Sequence, residues 1–156
     1  GAFKNCSSLQ SIDVPDSISA IGQGAFSGCR SLQSLDLPDS VRSIGTSAFH
    51  GCSSLQSMVI PSLVTTIGPG AFSRCISLHS IVLPDSVKAI KNYDFYGCSS
   101  LQSIVSPASV TTFGEQAFSG CSSLQFIVIL TSVSVVGTDA FQGCTGLQYL
   151  RSFDRD

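Results

Sequence analysis

The chain has 156 residues, of which 43% are hydrophobic and only 12% are charged, and this balance excludes an intrinsically disordered protein. The net charge of −2, with eight Lys and Arg residues, argues against a protein dedicated to binding the phosphate backbone of nucleic acids. No apolar run approaches the roughly 18 residues that a membrane-spanning helix needs.

One pattern returns every 23 residues, which gives about 6.8 copies along the chain. Cysteine, phenylalanine and leucine each fill a column: Cys at 6, 29, 52, 75, 98, 121 and 144; Phe at 3, 26, 49, 72, 95, 118 and 141; Leu at 9, 32, 55, 78, 101, 124 and 147. A single copy cannot bury its own apolar side, so the repeat predicts stacked coils that form one solenoid over residues 1–156. Because the sequence opens at Gly1 inside a repeat, without an initiator Met, we expect it to be a piece of a longer chain.

Each copy begins with a tight turn, since Phe26, Cys29 and Leu32 are spaced by three, as in a single helical or 3₁₀ turn. A strand is predicted next over residues 32–37, where apolar and polar residues alternate before Pro38. A shorter second strand is predicted shortly before the next glycine. The expected core therefore includes Phe26, Cys29, Leu32, Phe49, Cys52, Leu55, Phe72, Cys75 and Leu78.

Two glycine columns punctuate the coils, one at 28, 51, 97, 120 and 143 and one at 22, 45, 68, 114 and 137. Glycine at a fixed interval predicts a backbone with positive φ, in both columns. Asn5 and Arg74 replace glycine in the first column, and Lys91 replaces it in the second. We expect a local distortion at Lys91.

Three stretches carry a family resemblance: AFSGCSSLQ at 117–125, SLDLPDSV at 34–41 and SIVLPDSV at 80–87. With their 23-residue period, they resemble BspA-type leucine-rich repeats. The resemblance implies a leucine-rich-repeat solenoid with a parallel sheet on one side. It also implies a cell-surface or secreted protein that functions in adhesion, in a family with no shared catalytic site. It brings no cofactor and no metal.

Seven cysteines in one column raise the question of disulfides or zinc. Stacked thiols point in parallel, which is poor geometry for a disulfide, and no C-x-x-C pair is present for zinc. We therefore expect reduced thiols packed as small apolar groups. The histidines, His50 and His79, have no nucleophile and acid arranged around them in the sequence, so we predict that the chain is not an enzyme.

The outward positions of the predicted strands form the candidate binding surface. One outward column begins with Asp13 and Asp36, continues as a run of valines and ends with Arg151. The neighbouring column changes from serine to aromatic residues near its end. The candidate residues are Val59, Val82, Val105, Val128, Phe126 and Tyr149. Exposed apolar patches mark interfaces, and solenoids commonly bind through their strand side. The alternative is that valine is there only because it favours strands.

The sequence supports two functional hypotheses. The first is an adhesive module that presents the strand face to a protein or glycan at the cell surface. The second is a structural protein that assembles end to end into filaments, since neither end of the sequence carries a polar cap. Asn5, in the triplet Asn5-Cys6-Ser7, is a candidate glycosylation site, although asparagine also suits a left-handed backbone.

Overall fold

The structure is a computed structural model that describes the backbone of residues 1–153 and the side chains of residues 1–148. Its strands are β1 (Ala20–Ile21), β2 (Ser43–Ile44), β3 (Ser57–Val59), β4 (Thr66–Ile67), β5 (Ser80–Val82), β6 (Ala89–Ile90), β7 (Ser103–Val105), β8 (Thr112–Phe113), β9 (Phe126–Leu130), β10 (Val135–Val136) and β11 (Tyr149–Phe153). No helix in the described backbone is long and apolar enough to cross a membrane.

The strands form two parallel columns. The main strands, β3, β5, β7, β9 and β11, follow the turn of each coil, and the short strands, β1, β2, β4, β6, β8 and β10, follow later in the same coil. Each strand pairs in parallel with the equivalent strand 23 residues away, as Met58 pairs with Ile81 and Ile21 with Ile44. The predicted solenoid with a parallel sheet and short second strands is confirmed.

The predicted tight turns close each coil between the strands. The N–H of Cys29 donates to the carbonyl of Phe26, and the N–H of Leu32 donates to the carbonyl of Cys29, so consecutive turns are bridged over three residues. These turns do not extend into a helix anywhere in residues 1–153. They direct the Phe, Cys and Leu side chains of each coil towards the interior.

The interior is built from stacked columns of like residues. The phenylalanine rings from Phe3 to Phe141 stack nearly parallel along the solenoid, with successive centroids 5.3–5.7 Å apart. The predicted core residues are all buried: Phe26, Cys29, Leu32, Phe49, Cys52, Leu55, Phe72, Cys75 and Leu78. The cysteines are free thiols, and all are buried or half-buried except Cys6, which is exposed in the first coil.

The thiols do more than fill space. The Sγ of Cys52 donates to the carbonyl of Phe26 at 3.1 Å, and the Sγ of Cys75 donates to that of Phe49 at 3.2 Å. Every later cysteine repeats this bond to the Phe carbonyl 26 residues earlier. The expectation of a purely apolar cysteine column was therefore incomplete, because each thiol also ties its coil to the preceding one.

A second ladder is made by serine hydroxyls two residues after the proline column, in which Leu130 replaces proline before Ser132. Ser40 donates to the carbonyl of Ile18 at 2.7 Å, and Ser132 donates to that of Val110 at 2.8 Å. Ser109 makes the same contact with Val87. These serines explain part of the high hydroxyl content as coil-to-coil hydrogen bonding.

The two glycine columns have different causes. The first is left-handed throughout, as predicted, with φ of 76° at Gly28, 62° at Asn5 and 60° at Arg74. The second column was predicted wrongly, because none of its described glycines has a positive φ. A Cβ at Gly45 would lie 2.5 Å from the backbone N of Gln23 in the preceding coil, so glycine is required there by the close approach of two backbones.

The main sheet is interrupted in two places. The predicted strand over 32–37 is not formed as a paired strand, although Leu35 is buried and Asp36 exposed as its alternation requires. Asp13 and Asp36 hold the same outward position on neighbouring coils, and like charges at opposed positions weaken strand pairing. The second interruption lies between β5 and β7, which are not paired.

The short-strand sheet is also interrupted, between β4 and β6. The site of this break is Lys91, which occupies the glycine column where two backbones approach most closely. A Cβ in this column meets the preceding backbone, so the N–H of Lys91 does not make the bond to the preceding coil that Gly45 and Gly68 make, and it donates to Asp94 instead. The local distortion expected at Lys91 is present.

Candidate binding surface

The outward side of the main strands forms a continuous surface, which we call the main strand face. Its described side chains belong to three columns: Gln10, Gln33, Gln56, His79, Gln102, Gln125 and Gln148; Ser11, Ser34, Ser57, Ser80, Ser103 and Phe126; Asp13, Asp36, Val59, Val82, Val105 and Val128. Strand alternation places the second and third columns outward while Met58, Ile81 and Ile104 point into the core. The first column lies just before the strands and is also exposed.

The valines of the third column form an apolar stripe along the main strand face. Val59 pairs in register with Val82, and Val105 pairs in register with Val128. Val59, Val82 and Val105 are 67%, 59% and 66% exposed, whereas Val128 is half-buried. We call these four residues the valine stripe.

Aromatic side chains adjoin the end of the stripe. Phe126 is 46% exposed and lies opposite Ser103 in the sheet. The backbone of Tyr149 pairs with Phe126 on the other side, but the Tyr149 side chain lies outside the described side chains. The predicted residues Val59, Val82, Val105, Val128 and Phe126 are thus brought together on one surface.

A cleft of about 420 Å³ opens in the middle of the stripe, where β5 and β7 are not paired. Sequence analysis missed this cleft, because it arises from a gap in strand pairing between two coils whose strand sequences are nearly identical. The exposed valines Val82 and Val105 flank it, and its lining is Ser80, Ile81, Val82, Leu83, Asp85, Ser103, Ile104, Val105 and Pro107. Its volume and mostly apolar lining suit an inserted side chain.

The other end of the main strand face is acidic. Asp13 and Asp36 are exposed, and they line a second cleft of about 220 Å³ together with Ser11 and Ser34. The surface therefore changes from carboxylates to valines along the stacking direction of the coils.

The described thiol and imidazole side chains are the candidate reactive groups. Burial raises the pKa of Cys52 to about 12 and the pKa of Cys75 well above its ordinary value, so both remain thiols at neutral pH. Burial, together with the charge of Arg74, lowers the pKa of His50. Among the side chains of residues 1–148, no three His, Cys, Asp or Glu residues are grouped as a metal site.

Tyr93, Tyr96 and their neighbours form a separate polar cluster. The hydroxyl of Tyr93 donates to Oε1 of Glu115 at 3.0 Å, which raises the Tyr93 pKa, and its ring meets that of Tyr96 edge-on at 6.1 Å. Asn92 accepts a hydrogen bond from the N–H of Glu115 at 2.9 Å. These contacts join two coils and account for the cluster as a structural feature.

Asp94, which the sequence analysis did not single out, stands in a column otherwise filled by alanine. It is 2% exposed and accepts hydrogen bonds from the N–H groups of Lys91 and Ala71. Burial raises its pKa to about 7, against the effect of these hydrogen bonds and of Lys91. Only its close spacing to Lys91, the other deviating residue of the coil, signals this role in the sequence.

Asn5 is exposed and has the left-handed backbone expected of its column. Its Oδ1 lies over the backbone of Gly28, where a Cβ would collide with it. This geometry explains why asparagine is tolerated there.

Residues 1–87 match a family model described as the BspA type leucine rich repeat region, in six copies. The chain belongs to the BspA-type leucine-rich repeat family. Membership confirms the resemblance drawn from the repeat and indicates a protein-interaction or surface module. Proteins of this leucine-rich-repeat family are typically non-catalytic.

Solved bacterial structures are similar to this BspA-type chain. A leucine-rich repeat protein of T. pallidum is 38% identical with a TM-score of 0.87, over 94% of this chain and 69% of that protein. One from Bacteroides ovatus is 31% identical with a TM-score of 0.63, over 97% of this chain and 51% of that protein. A leucine-rich cell surface protein of Faecalibacterium prausnitzii is 25% identical with a TM-score of 0.53, over 99% of this chain and 62% of that protein. The chain thus spans only about half of the B. ovatus protein, and no curated protein matches it.

Proposed function

We propose that residues 1–156 form one solenoid domain that acts as a non-catalytic binding module and presents its main strand face to a protein or glycan partner. The observation that carries this proposal is the valine stripe, three of whose members are more than half exposed. Within the stripe, Val59 is in register with Val82 and Val105 is in register with Val128. A row of exposed valines leaves apolar surface in water, which burial against a partner would remove.

Strand propensity alone accounts less well for this surface. It explains valine and phenylalanine in a strand, but it does not explain an apolar cleft beside exposed Val82 and Val105. Interfaces draw most of their binding energy from a few apolar or aromatic anchors seated in pockets. The main strand face supplies both an aromatic side chain and a pocket.

We place this module at the cell surface, in adhesion. The proposal is supported by the family and by the similarity to the F. prausnitzii cell surface protein. Free thiols are unusual outside the cell, where they oxidise to disulfides. Here the burial of Cys52, Cys75, Cys98 and Cys121 protects them from exchange, so the thiols do not contradict the proposed location.

The test is binding to a panel of purified extracellular-matrix proteins and to a glycan array, measured for three variants. Val82→Asp and Phe126→Ala should each weaken any binding by about tenfold or more, since both alter central contacts. Val135→Asp is the matched control, because Val135 is 51% exposed on β10, outside the main strand face, and should bind within about twofold of the wild type. If Val82→Asp bound as the wild type does, the main strand face would not be the binding surface.

End-to-end assembly into filaments is the alternative function. The observation that favours it is an apolar pocket of about 290 Å³ on the first coil, lined by residues that include Phe3, Ile12, Val14 and Ile18. A contact from a second copy would complete these half-buried columns. Light scattering of the 156-residue chain should then show an average molecular mass that rises with protein concentration, and Ile12→Asp should abolish this rise. A monomer at all concentrations would rule the alternative out.

A further inference from the structure

Charge is segregated on the main strand face. The carboxylates of Asp13 and Asp36 lie at one end of the face. Among the described side chains of its three columns, His79 is the basic residue, and none is Lys or Arg. Asp85 extends the negative charge to the lining of the central cleft. The Lys and Arg residues whose side chains are described all lie outside the three columns of this face: Lys4, Arg30, Arg42, Arg74, Lys88 and Lys91. The backbone of Arg151 pairs with Val128 and so continues the third column beyond the valine stripe.

The two parts of the face are separated along the solenoid axis. Coils stack at about 4.8 Å, so Asp13 and Val128, five coils apart, are separated by about 24 Å. An extended polypeptide covers that distance with about seven or eight residues. The acidic part spans the first two of these coils, and the valine stripe spans the remaining four.

The central cleft provides the apolar part with an anchor point. Ile81 and Ile104 line it and are 7% and 2% exposed, so a side chain that enters between Val82 and Val105 meets the solenoid core. Such insertion removes apolar surface of both partners from water. Asp85, which also lines the cleft, favours a cationic group next to the inserted side chain.

Resting on the proposed function, we infer that the partner is a polypeptide segment with basic residues at one end and apolar residues at the other, laid along the solenoid axis. The basic end lies over Asp13 and Asp36, and an apolar side chain enters the cleft between Val82 and Val105. A neutral glycan has no cation to pair with the carboxylates, and valines give it no hydrogen bonds. Nucleic acid is repelled by the same carboxylates.

The experiment is selection from a phage-displayed library of random twelve-residue peptides on the immobilised 156-residue chain. The selected peptides should contain a cluster of Lys or Arg and, separately, a cluster of apolar residues. A synthetic peptide of that sequence should lose about fivefold in affinity when Asp13→Asn and Asp36→Asn are combined, since each exposed pair contributes modestly. Raising salt from about 50 to about 500 mM should weaken binding to the wild type more than binding to this double variant, which keeps only Asp85 of the three carboxylates.

A second variant separates this inference from the proposed function. Val82→Ser combined with Val105→Ser should abolish peptide binding, whereas Val135→Ser on β10 should not. The selected peptides could lose binding in the valine variant and yet carry no basic cluster and show no salt dependence. That result would overturn the inference and leave the proposed function intact. Binding unaffected by the valine variant would overturn both. Selection of no peptides, with a glycan bound on the valine stripe, would overturn the polypeptide partner alone.

Discussion

The backbone N–H of Lys91 donates to Oδ2 of Asp94 at 2.6 Å, whereas Gly45, Gly68, Gly114 and Gly137 of the same column donate to a carbonyl of the preceding coil. The side chain of Lys91 prevents the close approach that those glycines allow, and its N–H loses the usual acceptor. Asp94, in a column that is otherwise alanine, supplies a replacement acceptor within the same coil. The two deviations therefore compensate each other.

This compensation predicts strong coupling between the two positions. Asp94→Ala alone should lower the free energy of unfolding by about 1–3 kcal/mol, because it leaves the partly buried N–H of Lys91 unpaired. Lys91→Gly with Asp94→Ala restores the sequence of the other coils and should be at least as stable as the wild type. Urea denaturation of both single variants and the double variant measures the coupling. Additive effects would show that the two residues act independently.

Asp94 also predicts a pH dependence of stability. Its pKa of about 7 in the folded protein exceeds the value of about 3.9 expected in the unfolded chain, so the folded state binds the proton more tightly. The contribution of Asp94 to the free energy of unfolding should therefore be greatest below about pH 4 and should fall as the pH rises to about 7. Asp94→Asn keeps the shape of the side chain but cannot titrate. The free energy of unfolding of the wild type minus that of the variant should therefore fall between about pH 4 and about pH 7.

The comparison with Asp94→Asn separates the pH dependence of stability due to Asp94 from that of other groups that titrate in the same pH range. His50, whose lowered pKa makes stability rise with pH, is present in both proteins and cancels in the difference. A difference in stability that stayed constant from pH 4 to pH 8 would show that Asp94 does not titrate in this range.

The cysteine ladder predicts two classes of thiol. Cys6 is exposed and should react with Ellman's reagent at once, whereas Cys52, Cys75 and Cys98 should react only as the protein unfolds. Cys6→Ser should remove the rapid phase and leave the slow phase unchanged. Rapid reaction of all seven thiols in the native protein would mean that the column faces solvent.

Gly45 and Gly22 provide a matched test of the second glycine column. Gly45→Ala should destabilise the protein by more than about 2 kcal/mol, because its Cβ would meet the backbone of Gln23. Gly22→Ala should be neutral or stabilising by up to about 1 kcal/mol, because nothing lies within 4 Å of its Cβ position. Thermal unfolding of both variants is the measurement, and equal losses would show that backbone conformation, not close approach, selects glycine there.

The repeat predicted the solenoid well because its strongest determinants are local and recur in every coil. The apolar columns place Phe72, Cys75 and Leu78 inside, and the left-handed column is visible even where Asn5 and Arg74 replace glycine. Features that depend on contacts between coils were less accessible. Nothing in the residue itself distinguishes a glycine that needs positive φ from one that needs space.

A second left-handed column shows the same limit. Residues 24, 47, 70, 93, 116 and 139 all have positive φ, but glycine occupies only two of these positions. The other four positions are filled by Ser47, Tyr93, Gln116 and Asp139. Because these residues share no side-chain type, the sequence does not reveal the column. The cleft between Val82 and Val105 was likewise hidden, since the strands that border it share the sequence Ser-Ile-Val.

The central claim is that the valine stripe contacts the partner, and methyl NMR of the valine-labelled chain tests it most directly. Addition of a peptide or matrix protein that binds should shift or broaden the methyl signals of Val59, Val82 and Val105, while those of Val135 and Val136, which are similarly exposed on β10, stay unchanged. Changes at Val135 and Val136 with none at Val59, Val82 and Val105 would contradict the account.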